Sequence, residues 1–255
     1  MGREVHRRHN RATLSKVGEL SLKLSAEAAL LDIEGTVGSI AFVRDVLFPF
    51  SRARTNAFVR AHCEDPAVRA VLDQTAREAA VDVHDLNAII KALHDWSDRD
   101  VKVTPLKELQ GMIWKEGFES GEIRAPLYDD AVDAMRRFHA AGIRLFIYSS
   151  GSIAAQQLLF GHAVAGDLRP LLEGYFDTTA GPKREPSSYH RIAQTIGLPP
   201  ERIVFFSDHA PELDAARVAK LQTVQLARPA DGVFAAGTHP ASDTFAGIDL
   251  VTVNV

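Results

Sequence analysis

Four short apolar runs, each broken off by polar residues, set the strongest limit on how this chain can fold. "AALL" at Ala28–Leu31 runs straight into Asp32, Glu34, Gly35 and Thr36. "IRLFIY" at Ile143–Tyr148 ends in Ser149, Ser150 and Gly151, "IVFF" at Ile203–Phe206 ends in Ser207 and Asp208, and "LQTVQLARP" closes at Arg228 and Pro229. Continuous rather than alternating runs suit strands covered on both faces, as in a parallel sheet. Helical patterns lie between them. "YDDAVDAMRRFHAAG" offers an aspartate cap, then Ala131, Val132, Met135 and Phe138 at helical spacing, and stops at Gly142. "EPSSYHRIAQTIG" puts Pro186 near a helix start and Gly197 at its stop, and "PELDAARVAKL" supplies a third helix. This alternation predicts an α/β fold, a Rossmann-like doubly wound parallel sheet. Ligands of such sheets sit beyond the carboxyl ends of the strands, and the polar clusters all fall there.

From about Phe48 to Arg124 the alternation stops. "DPAVRAVLDQTAREAA" has Asp65 as cap, Pro66 at the first helical position and Val68, Val71, Leu72 and Thr75 on one face. "HDLNAIIKALHDW" and "TPLKELQGMIWKEGF" read as further helices, with Trp96, Trp114 and Phe118 as their core. At 255 residues the chain has room for one core domain with such an insert. The expected organisation is a core over 25–47 and 125–255, a helical insert over 48–124 and an N-terminal extension over 1–24. The segment after Arg228 reads as a loop followed by a weak edge strand.

The composition, 46% hydrophobic and 24% charged, is that of an ordinary globular protein, and no apolar run is long enough to span a bilayer. One cysteine, Cys63, excludes an internal disulfide and suits a reducing, cytoplasmic setting. The first 24 residues carry six arginines and lysines against two glutamates, a local +4 that leaves −8 of the net −4 to the remainder. An acidic body argues against nucleic-acid binding. The basic segment lacks the apolar stretch of a secretory signal and reads as an extension. With no heptad or exposed apolar stripe in view, a monomer is expected.

Buried unpaired charge is expensive, so Asp32 and Glu34 at a strand mouth either cap a solvated turn or meet a cation. Carboxylate oxygens without a His or Cys cluster favour Mg²⁺ over zinc, and Asp208 would complete such a set. Serine hydroxyls and backbone N–H groups opening a helix bind phosphate, which assigns Ser149 and Ser150 either to that role or to capping the next helix. Lys183 in "GPKREP" would add a point charge for the same anion, although its charged neighbours alone suggest a solvated lysine. Mg²⁺ and a lysine together would keep Asp32 ionised and make its attack on phosphorus feasible, giving an aspartyl-phosphate. Glu212 is either a partner of this group or a surface acid on a helix's first turn. His162, His190 and His209 lack metal-binding spacing and read as structural or surface residues, and Cys63 as inert.

"DIEGT", "YSSGS", "GPKRE" and "FFSDHAPELDAA" resemble the four motifs of the haloacid-dehalogenase superfamily of phosphotransferases. Glu34 stands where the general motif has Asp, and with "SIAFVRDVLFPF", "LQGMIWKEGFESGEI" and "GYFDTTAGPKRE" it makes the chain similar to the enolase-phosphatase branch over roughly Ala28–Pro229. The resemblance implies that the helical insert is a cap. It implies Asp32 as nucleophile and Mg²⁺ ligand, Glu34 as acid/base and as a ligand, usually through its backbone carbonyl, and Asp208 as the remaining ligand. Ser149, Ser150 and Lys183 would bind the substrate phosphate. The implied reaction is the Mg²⁺-dependent enolisation and dephosphorylation of 2,3-diketo-5-methylthiopentyl 1-phosphate to an acireductone in methionine salvage. The alternatives are a phosphatase for another small ester, or a phosphometabolite-binding protein without turnover. Some family members carry Val or Ile where this chain has His209.

Overall fold

The computed structural model describes residues 22–252, so the N-terminal segment over 1–21 lies outside the described residues. The strands are β1 (Leu22–Ser25), β2 (Ala28–Leu31), β3 (Arg144–Tyr148), β4 (Gly174–Phe176), β5 (Ile203–Ser207), β6 (Gln222–Leu226), β7 (Ala241–Ser242) and β8 (Ile248–Val251). Six of them form one sheet in the order β4-β3-β2-β5-β6-β7, parallel throughout. The chain builds outward from β2 on one side and then returns to build on the other. The order therefore reverses beside β2, where the carboxyl ends open a crevice.

Each central strand alternates between two apolar layers. Ala29, Leu31, Leu145, Ile147, Val204 and Phe206 join one layer, Ala28, Leu30, Phe146, Tyr148, Ile203 and Phe205 the other. Helices α6 (Asp129–Ala140) and α7 (Ile153–Gly161) cover the first face, and α8 (Pro186–Ile196) and α9 (Ala210–Val218) the second. Coverage of both faces is what leaves the strand sequences with no polar alternation.

The inserted helices are α2 (Phe48–His62), α3 (Pro66–Ala79), α4 (Leu86–Asp98) and α5 (Thr104–Glu119). They bury an apolar cluster of their own, including Val59, Leu72, Ile89, Leu93, Leu109 and Ile113. Entry is by a short helix, α1 (Ile40–Phe42), and a π-helical turn over Val43–Leu47 that runs on into α2 without a break. Trp114 and Phe118 depart from expectation. Phe118 is buried with Phe42, Leu47 and Ile123 in the cluster continuous with the sheet, while Trp114 packs against that cluster and donates from its ring N–H to Leu47 O at 2.8 Å. They mark the junction between helices and sheet.

Two expected caps also differ. Asp65 precedes α3, but its carboxylate takes His62 Nδ1 at 2.8 Å instead of a helix N–H. Asp129 and Asp130 lie inside the first turn of α6, with Tyr128 at the cap position and Asp130 turned toward Arg228. Asp85 does cap α4, accepting from Asn87 N and Ala88 N at 3.0 Å. The late edge strand divides in two. The two-residue β7 closes the main sheet, whereas β8 leaves it and pairs in parallel with β1. Residues 22–24, expected to belong to the extension, are thus already strand.

Candidate active site

The sheet register brings the four polar strand ends together. Leu31 is level with Ile147 and Phe206, so Asp32 continues beside Tyr148 and Ser207, and Ser149 and Asp208 stand one residue further out. The turn after Asp32 is tight. Thr36, Val37 and Gly38 all donate their N–H to Ile33 O, while Asp32 Oδ1 accepts the N–H of Ile33 at 2.7 Å. Gly35 holds a positive φ of 74°, and a Cβ there would lie 2.4 Å from Asp208 Oδ2. Only glycine gives both the backbone conformation and the close approach. Asp208 is tied back to the same turn, its N–H donating to Thr36 Oγ1 at 2.9 Å.

Lys183, on the loop between β4 and α8, is not solvated. Its Nζ lies 2.6 Å from Asp32 Oδ1 and 2.7 Å from Glu212 Oε2, with 12% of the side chain exposed. Three buried hydroxyls hold this loop by its carbonyls. Tyr148 O–H donates to Gly181 O at 2.8 Å, Ser188 O–H to Pro182 O at 2.8 Å, and Tyr189 O–H to Lys183 O at 2.7 Å. Burial raises the pKa of both tyrosines, which keeps them donors. Burial works against the charge on Lys183, but Asp32 and Glu212 outweigh it and raise the lysine above its ordinary value.

Two residues of the centre were not assigned from sequence. Glu212 is the partner of Lys183, which settles its two readings in favour of the site. Ser207, fully buried, donates to Asp32 Oδ2 (3.4 Å) or Glu212 Oε2 (3.3 Å) and accepts the N–H of His209 at 3.1 Å. Its position beside Asp208 at a strand mouth was the available signal.

Ser149 is buried and its Oγ accepts the N–H of Gly151 at 3.3 Å, whereas Ser150 is exposed. Neither caps α7. Ser152 does, accepting from Ala155 N at 3.3 Å. Gln156, also buried, fixes this loop by donating to Gly151 O and Phe176 O. No described side-chain hydrogen bond joins Ser149 or Ser150 to Asp32.

Asp32, Glu34, Asp208 and Glu212 share the crevice with the Lys183 ammonium, and the charge of Lys102, on the loop between α4 and α5, also reaches Glu34. Burial first, then the charges of Asp32 and Glu212, push Asp208 up to about 7, and burial with Asp32 raises Glu34. This excess of carboxylate is what a divalent cation would neutralise. Among the described residues no three His, Cys, Asp or Glu side chains are grouped to hold a metal ion by themselves. A divalent ion would instead draw on two carboxylates, Asp32 and Asp208, plus a backbone oxygen. The turn's own N–H groups all pass over Glu34 O, which leaves that carbonyl open to serve.

A family model described as haloacid dehalogenase-like hydrolase matches residues 26–220. The enolase-phosphatase E1 of Pseudomonas fluorescens (strain Pf0-1) is 47% identical over 226 residues, 89% of this chain and 98% of its own length. That of Pseudomonas syringae pv. tomato is 50% identical over 218 residues, 86% and 96% of the two chains. The chain belongs to the enolase-phosphatase family of haloacid dehalogenase-like hydrolases. The crystal structure of UTR4 protein from Saccharomyces cerevisiae is similar to it with a TM-score of 0.74 and 36% identity, over 87% of this chain and 99% of that one. The crystal structure of CbbY from Rhodobacter sphaeroides in complex with phosphate, 19% identical with a TM-score of 0.52 over 87% and 95%, shares the fold. As a member of this family the chain is an enzyme, a phosphoric monoester hydrolase. No described helix is long and apolar enough to cross a membrane.

Proposed function

We propose that this chain enolises 2,3-diketo-5-methylthiopentyl 1-phosphate and then removes its phosphate to give the acireductone, a reading supported by relatives that bear the name enolase-phosphatase E1. The observation that carries the phosphatase half is the 2.6 Å contact between Lys183 Nζ and Asp32 Oδ1 in a water-poor crevice. Lys183 aims the Asp32 carboxylate and supplies positive charge to the phosphoryl oxygens. Ser149 and Ser150, with the N–H groups opening α7, hold the other phosphoryl oxygens. Asp32 attacks phosphorus as the ester P–O bond breaks, and Glu34 gives a proton to the departing oxygen. Glu34 then takes a proton from water, which attacks the aspartyl-phosphate and frees Asp32 and inorganic phosphate. Asp32, Asp208 and the Glu34 carbonyl would hold Mg²⁺. When bound, that ion supplies charge neutralisation at the phosphoryl group and polarises the diketone oxygens, which acidifies the neighbouring C–H.

In this reading α2–α5 form the cap over the crevice, and the enzyme is a cytoplasmic monomer whose partner is its small phosphorylated substrate, with no nucleic acid or membrane. Asp32→Asn with the diketone phosphate and Mg²⁺ is the test. The absorbance of the enediol phosphate is expected to rise while no phosphate is released. Surviving phosphate release would remove Asp32 from the nucleophile's role. Loss of wild-type phosphate release on chelating Mg²⁺, and its return on re-addition, is expected as well.

A further inference from the structure

Two chain segments join the inserted helices to the sheet. The outgoing one, residues 35–39, and the returning one, residues 124–128, pair with each other through an antiparallel bridge between Gly38 and Leu127 and a hydrogen bond from Tyr128 N to Val37 O at 3.0 Å. The turn that follows β6 lies against this pair. We propose that Arg228 and Asp231, on that turn, are positioning residues that clamp the two segments together and so set how the helices meet the site.

Each of the two charged residues grips both segments. Arg228, 8% exposed, donates to Thr36 O of the outgoing segment from Nη2 at 3.1 Å and Nε at 3.3 Å. On the returning side its guanidinium lies 4.0 Å from the centre of the Tyr128 ring and donates to Asp130 Oδ2 at 2.9 Å. Asp231 accepts from Ser39 O–H of the outgoing segment at 3.3 Å on one oxygen and from Tyr128 O–H of the returning segment on the other. A buried guanidinium and a carboxylate shared between two hydroxyls are expensive to desolvate and are tolerated only with their bonds made. Here those bonds are spent on the crossing between helices and sheet. The clamp continues into the site, because the Thr36 whose carbonyl Arg228 holds also accepts the N–H of Asp208. Burial and Asp231 hold the Tyr128 phenol up at about 12, so it remains a donor across the working pH range.

Tyr128→Phe, which leaves the ring beneath Arg228, and Asp231→Ala test the clamp without emptying the core. Amide exchange at Gly38 and Tyr128 is expected to quicken about threefold to tenfold, the effect of losing one hydrogen bond of ordinary net strength, with β2 and β5 unchanged. Asp231→Asn, which keeps an oxygen for Tyr128, should recover most of the protection. The kinetic arm rests on the proposed enolase-phosphatase reaction. KM for the diketone phosphate is expected to rise by a similar factor, while kcat/KM for p-nitrophenyl phosphate, which needs little beyond the Asp32–Lys183 centre, stays within about twofold. Unchanged exchange at the two linkers, or a parallel fall for both esters, would overturn the proposal. If the wild type hydrolyses neither ester the functional reading fails by itself, and exchange alone decides the clamp.

Discussion

Lys183 owes its place to hydroxyls contributed from outside its loop. Tyr189→Phe removes the donor to Lys183 O and leaves a buried carbonyl unsatisfied, which is expected to lower unfolding free energy by about 1–3 kcal/mol. The larger effect should be on kcat for phosphate release, because the ammonium loses its fixed distance to Asp32. Denaturant unfolding and turnover measured on the same preparation separate the two. Gly35→Ala acts on the other side of the crevice. Its Cβ would strike Asp208 Oδ2, and displacing that carboxylate by even 1 Å is expected to reduce Mg²⁺-supported turnover by about 100-fold. Circular dichroism of the variant should remain that of the folded protein. The places of Asp32, Ser149 and Asp208 at the crevice were legible because each directly follows a strand. Lys183 was not legible from its neighbours, since Pro182, Arg184 and Glu185 are all exposed and its partner Asp32 lies 151 residues away.

At the scale of elements, α2–α5 depend on a core separate from the sheet. Ile113→Ala, at a fully buried position of that core, is expected to destabilise the helices by about 2–5 kcal/mol. Native-state hydrogen exchange should show protection lost in α2–α5 and kept in β2, β3 and β5. The helices were legible from proline starts and apolar spacing, which are local properties. Their caps were less so. Asp65 and Asp130 sit at suitable sequence positions, yet tertiary packing turns one to His62 and the other to Arg228 instead of to a helix N–H. The pairing of β1 with β8 was also hidden. Both are four residues long with one face exposed, and strands that short carry too little pattern to declare a partner.

Across the whole molecule, Asp130 ties the start of α6 to the C-terminal segment. It accepts from Arg228, from Phe245 N at 2.7 Å and from Thr244 O–H at 3.0 Å. Burial alone would raise its pKa, but these donors overcome it and hold the carboxyl below its ordinary value. A depressed carboxyl contributes stability that is present above its unfolded pKa, about 3.9, and is lost as pH falls through the lower folded value. Asp130→Asn should therefore lower stability at neutral pH by about 1.5–3 kcal/mol, and the gap from wild type should narrow below about pH 4 in denaturant titrations. By itself the sequence determined the parallel sheet, its carboxyl-end crevice and the residues at the strand mouths. Those follow from apolar patterning within a few positions. Only the tertiary structure decided which polar groups meet: Lys183 with Asp32 and Glu212, Arg228 with the Thr36 carbonyl and Asp130. Ion pairing and desolvation depend on distance through space and on exclusion of water, and chain separations of 29 to 192 residues carry no trace of either.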